Sequence, residues 1–310
     1  MSLNCLQASI EYYCEKTEYN QVLLFANCFG IEYDNQPEKI FGHRIRQRPL
    51  NKFEECFYST YGITLERVYY DYDCIYELER TLFSELLLRV DAYDCPWNAA
   101  YNKSHITHFC IIKKVDITKG CLVCADPFLS IENVCWPFET IPKKNCMAYR
   151  VIQCKKHMEY SLSAIRNNIV SNTSVEKIKK TYEDIKKGCM DVDSMDHLFE
   201  SNNPSICYFS IISKQICDNY KGLKDLFEYL AVNETGNADK ISLLLIKLER
   251  AQDAWRLINV TGIKMLIKNQ FDTNMVEWLI DKFDELCMLD LYIYKIIENI
   301  ECFNTVYSKK

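Results

Sequence analysis

The chain has 310 residues, 48% of them hydrophobic, with only 8 Gly and 7 Pro, which predicts one large or two ordinary folded domains and argues against disorder or a loop-rich sandwich. A net charge of −6 gives no global drive toward nucleic acid or a membrane surface. With no apolar N-terminal signal and no run long enough to span a bilayer, a soluble, cytoplasmic protein is expected, its 17 cysteines mostly small buried thiols rather than disulfides.

Helical periodicity opens the chain, with Cys5, Ala8, Ile10 and Tyr13 spaced for one face and Asn4 as a candidate N-cap. Cys5 is thus expected in the first turn, where unpaired N–H groups and the helix dipole favour an anion. In FGHRIRQRP, Arg44, Arg46 and Arg48 alternate, so an extended strand would present them on one face. That face is either solvated or a basic patch for an acidic partner, with Lys143 and Lys144 as a second such cluster. Residues 51–61 and 76–88 read as helical. Thr64–Tyr72, Leu86–Asp91 and Met147–Cys154 read as strands. Asp91 is either a strand-end turn residue or a contact for a cationic substrate group.

Between these strands, YNKSHITHFCIIKKVDITKGCLVCADPF carries two apolar runs around a Gly-containing turn and predicts a hairpin. Its geometry would set His108 at the start of one strand beside Asp126 at the end of the next. After about Lys155 helices dominate: Val175–Met190, Ser205–Leu230, Ala238–Gln270 and Asn274–Phe303. The expected division is therefore an α+β domain, 1–154, and a helical domain, 155–310.

A histidine oriented by an aspartate is half of a nucleophilic triad, and Cys5 would complete it. Spacing alone, in a chain with 17 cysteines, favours a buried thiol at Cys5 and a hydrogen-bonded core histidine at 108. His105-x-x-His108 with Cys121-x-x-Cys124 has legal zinc spacing, but residues three apart in a strand face opposite ways, so no metal is expected. Tyr69, Tyr70, Tyr72 and Tyr76 either pack the core or line an aromatic acyl pocket.

Several stretches resemble the butirosin-biosynthesis acyltransferase-like family, whose N-terminal domain is a papain-like cysteine-peptidase fold. They are NCLQASIEYY with Cys5, LLFANCFGIEY, VDAYDCPW, YNKSHITHFCII and VCADPF, in the family's order across roughly the first 130 residues. Cys, His and Asp-Pro recur in that order in bacteriocin-processing peptidases as well. The resemblance implies an antiparallel papain-like fold plus a helical C-terminal region, with Cys5 as nucleophile, His108 as base, Asp126 as orienting acid and His105 at the site's edge. It implies an amide-forming acyltransferase of antibiotic biosynthesis, with no bound cofactor. The acyl chain would come from the phosphopantetheine thioester of an acyl or peptidyl carrier protein and pass to an amine or diamine. The amide-forming step of closthioamide assembly in anaerobic clostridia is one such reaction. A cysteine peptidase or amidase with the same triad is the alternative. Asp91, His105 and Asn27 are the expected substrate contacts, Arg44, Arg46 and Arg48 the carrier-docking cluster, and a homo-oligomer fits all of this. Only four residues precede Cys5, so the usual upstream Gln of the oxyanion hole has no place. The Cys5 N–H would need a second donor, for which Asn4 and Asn27 are candidates.

Overall fold

The computed structural model describes residues 5–17, 22, 25–26, 28–47, 63–70, 86–141, 146–153, 162–201, 203–204, 207–232, 235–269, 271 and 273–301. In chain order the elements are α1 (Cys5–Thr17), β1 (Ile31–Tyr33), α2 (Phe41–Arg44), β2 (Ile45–Gln47), β3 (Ile63–Tyr70), β4 (Leu86–Asp91), β5 (Thr107–Asp116), β6 (Cys121–Asp126), β7 (Ile131–Pro137) and β8 (Cys146–Gln153). Then follow the helices α3 (Leu162–Asn172), α4 (Val175–Met190), α5 (Met195–Leu198), α6 (Tyr208–Ala231), α7 (Ala238–Lys268) and α8 (Thr273–Glu298). The α+β class with an antiparallel sheet is as expected.

Two compact units result, Met1–Gln21 with Glu54–Met158, and Val22–Phe53 with Glu159–Lys310. The second unit therefore takes in residues 22–53, which the division 1–154 and 155–310 assigned to the first. Among the described residues no helix is long and apolar enough to cross a membrane.

The first unit is a six-stranded sheet in the order β3-β8-β4-β5-β6-β7, every pair antiparallel. Strands β4 to β7 form a meander, and β8 returns to the free side of β4. Strand alternation puts Leu86, Leu88, Cys110, Ile112, Leu122 and Cys124 into one core around the buried Trp136. His108 lies two residues before Cys110 and Asp126 two after Cys124, on the margin of that core. Helix α1 packs on β5 and on the turn after β6, with Leu6 and Ile10, one turn apart, buried.

The second unit pairs the short strands β1 and β2 and packs them with helices. Amphipathic α4 is capped by Ser174, whose hydroxyl accepts from the Lys177 N–H, and spans the predicted Val175–Met190. Helices α6, α7 and α8 supply most of the unit's core, including Phe227, Trp255 and Phe283.

Candidate active site

Asp126 ends β6, where the β6–β7 register shifts between Cys124 and Asp126, a local break that re-aims a side chain. Pro127 follows and sets the dihedral of a single helical turn, Pro127–Leu129, which Asp126 caps. The Leu129 N–H donates to Asp126 Oδ1 at 3.2 Å, and the chain leaves through a left-handed Ser130 at φ 57°. The second oxygen, Oδ2, accepts from His108 Nε2 at 2.7 Å and from the Trp97 indole N–H at 2.8 Å. Asp126 is completely buried and His108 nearly so. Three donors on two oxygens offset the cost of burying the acid.

With Nε2 committed to Asp126, the other ring nitrogen of His108 is left for Cys5, whose side chain also acts on the imidazole. Burial alone would pull the imidazole down. The hydrogen bond to Asp126, and the interaction with Cys5, outweigh it and raise His108 to about 10. Cys5 is the first residue of α1 and half-buried. Elsewhere burial pushes the thiols of Cys121, Cys207 and Cys217 up to about 11 and Cys189 to about 12, the range of an inert thiol. The sequence-predicted trio Cys5, His108 and Asp126, far apart in the chain, is thus brought together, with His108 hydrogen-bonded to Asp126 and acted on by Cys5. The edge of the His108 ring meets the exposed Phe128 at 6.1 Å.

Asp91 takes the turn role of its two sequence readings. Its Oδ1 accepts from the Tyr93 and Ile106 N–H groups at 3.0 and 3.1 Å, and Oδ2 lies 2.8 Å from His105 Nδ1. His105 is exposed and stacks on Tyr93, ring centroids 4.4 Å apart. This pair sits one rung from the triad, since Val90 pairs with His108 and Asp91 with Thr107. Asn27 and Asn4 lie outside the described residues, as do Arg48, Lys143 and Lys144.

The arginine reading needs correction. The strand begins only at Ile45, so Arg44 ends a helical turn instead of sharing a strand face with Arg46. Arg44 is buried, 4.7 Å over the Tyr33 ring, with its Nε donating to the Asp34 carbonyl at 2.9 Å. Arg46 is neutralised by Asp34 Oδ2 at 2.7 Å. Of the cluster's described members, then, one cation is buried and the other is paired.

Trp97 carried no role in the sequence reading. Its only signal there was its place in VDAYDCPW. An edge-to-face contact with Trp136, centroids 5.4 Å apart, holds the indole in place. Among the described residues no three His, Cys, Asp or Glu side chains gather to hold a metal ion. No protein-family model matches the chain, and no curated protein is significantly similar to it.

Proposed function

We propose that this chain is a cysteine-dependent acyltransferase that forms an amide from a thioester and an amine. The observation that carries the reading is the grouping of Cys5, His108 and Asp126, with the acid fully buried and hydrogen-bonded to an imidazole on which Cys5 also acts. A helix-borne cysteine on an antiparallel sheet bearing the histidine and acid supports the finer assignment, a papain-like fold. The choice of transfer over hydrolysis rests on the sequence resemblance.

In the first step the Cys5 proton passes to His108, and the sulfur attacks the thioester carbonyl of a phosphopantetheine arm. The carrier sulfur leaves, taking back the proton from His108 to depart as a thiol, and the acyl group stays on Cys5 as a new thioester. Thiol replaces thiol, so little acid assistance is required. In the second step an amine attacks that thioester, His108 takes its proton, and the amide departs with Cys5 restored as a thiol. Asp126 holds the ring with one nitrogen toward Cys5 and stabilises the imidazolium in both steps. The amine must outcompete water, so the acyl-enzyme has to be shielded while it waits.

Intact-mass measurement after incubation with an acyl-loaded carrier protein tests the reading. The wild type gains the acyl mass, Cys5→Ala gains none, and an added amine discharges the adduct faster than water does. Peptide cleavage with no thioester requirement would replace the transferase with a peptidase.

A further inference from the structure

Helix α7 has two apolar stripes. One, which includes Ile241, Leu244, Leu248, Ala251 and Ile258, is buried in its own unit. The other, Leu243, Ile246, Leu257 and Val260, is 40–51% exposed. Its spacing alternates three and four residues, and Arg250 and Asp253 hold the two positions in the middle. That is a seven-residue repeat, the pattern that meets another helix lying alongside. At 100° per residue its centre falls roughly 150° from the buried stripe, so it faces away from the unit's core. From Leu243 to Val260 the stripe runs about 26 Å.

The charges say what covers it. The stripe is self-complementary when the helix is reversed about the midpoint between Ala251 and Gln252. Leu243 then meets Val260, Ile246 meets Leu257, and Arg250 meets Asp253, each pair occurring twice. Glu249 and Arg256 come together along one flank, and Lys264 reaches Asp239 at the end. A parallel partner would instead set Arg250 on Arg250 and Asp253 on Asp253. Among the described residues Arg250 has no ion-pair partner, while Asp253 is bonded only to its neighbour Arg256, at 2.5 Å on the open surface.

We infer that a second copy of this chain docks antiparallel along α7, making an isologous two-fold dimer. Four apolar layers drive the pairing, and the two central Arg250–Asp253 contacts fix register and direction. One helix pair is small beside the ~1,200–2,000 Å² of a long-lived interface, so the dimer exchanges with monomer.

Sedimentation equilibrium of the full chain over a concentration series tests this. The wild type shifts from monomer to dimer mass. Asp253→Arg and Arg250→Asp each place like charges at the centre, and each weakens self-association at least roughly tenfold. Mixed in equal amounts, the two variants pair with each other, because every central contact is then opposite in sign. That recovery separates a lost contact from a failed fold, and unchanged circular dichroism confirms it. A wild type that stays monomeric overturns the inference. So does a dimer that survives Asp253→Arg, or charge variants that fail to pair on mixing.

Discussion

Asp126 sets what the candidate site can do, because a buried carboxylate is useful only while its charge is balanced. Trp97 shares Oδ2 with His108 and so tempers that oxygen as an acceptor. Trp97→Phe keeps the ring against Trp136 and removes only the N–H. A hydrogen bond to a charged group contributes about 1.5–3 kcal/mol. With Leu129 and His108 still in place the loss falls at the low end, so kcat drops roughly tenfold with KM for the thioester unchanged. Freed of the indole, Oδ2 holds the imidazolium more tightly, and the His108 titration followed by NMR moves up in pH. A lower Tm with an unmoved titration would reduce Trp97 to packing. The His108–Asp126 pair was legible in the sequence because two apolar runs around a short turn leave few places for the two to go, whereas Cys5 was assigned to them by the resemblance. Trp97 was not, since an indole that reaches an acid 29 residues away depends on how the loop before β5 closes over the sheet edge. Arg44 was misread because alternation implies a shared face only inside a strand.

At the scale of elements, periodicity located α4 to the residue and α6, α7 and α8 within a few residues. It missed α3, whose sequence LSAIRNNIVSN buries only Leu162, Ile165 and Ile169. It also missed β7, an edge strand whose apolar residues Ile131, Val134, Cys135 and Trp136 do not alternate. The placement of residues 22–53 was invisible to it, because that segment joins the helices through tertiary packing alone. Phe25 shows how: its ring lies against the backbone of α6 at Gly222, in the space a Cβ would occupy. Gly222→Ala therefore sets two effects against each other. Alanine is better in a helix by up to about 1 kcal/mol. Overpacking a rigid core costs about 1–3 kcal/mol, and Phe25 is completely buried, so it has little room to yield. The net expectation is a loss of ~1–2 kcal/mol, a Tm lower by roughly 2–6 °C in calorimetry. Adding Phe25→Leu should recover part of it. A Gly222→Ala protein as stable as wild type would mean that the ring moves aside at no cost.

At the scale of the whole chain, each unit buries a group that binds its proton more tightly when folded, in a different charge setting, and their stabilities should follow pH differently. In the helical unit Asp290 sits in the interior, accepting from the Tyr182 hydroxyl at 2.8 Å and the Tyr220 hydroxyl at 2.5 Å. Burial pushes it up to about 6, the two tyrosines holding it from rising further. Its folded value exceeds the unfolded one of about 3.9, so the native state binds the proton more tightly. The resulting stability is complete below about pH 4 and lost as pH rises through about 6. In the sheet unit His108 is raised to about 10 from about 6.5 unfolded, so its contribution is complete below pH 6.5 and lost as pH rises through 10. Calorimetry across this range should show the helical unit's transition falling between about pH 4 and 6, and the sheet unit's between about 6.5 and 10. Asp290→Asn is the discriminating variant. It keeps the shape and a polar partner for both hydroxyls but has nothing to ionise. It should flatten the first decline, leave the second untouched, and at neutral pH match or exceed the wild type, because no buried charge remains to be accommodated. A variant that still declines between pH 4 and 6 would place the titrating group elsewhere in the helical unit.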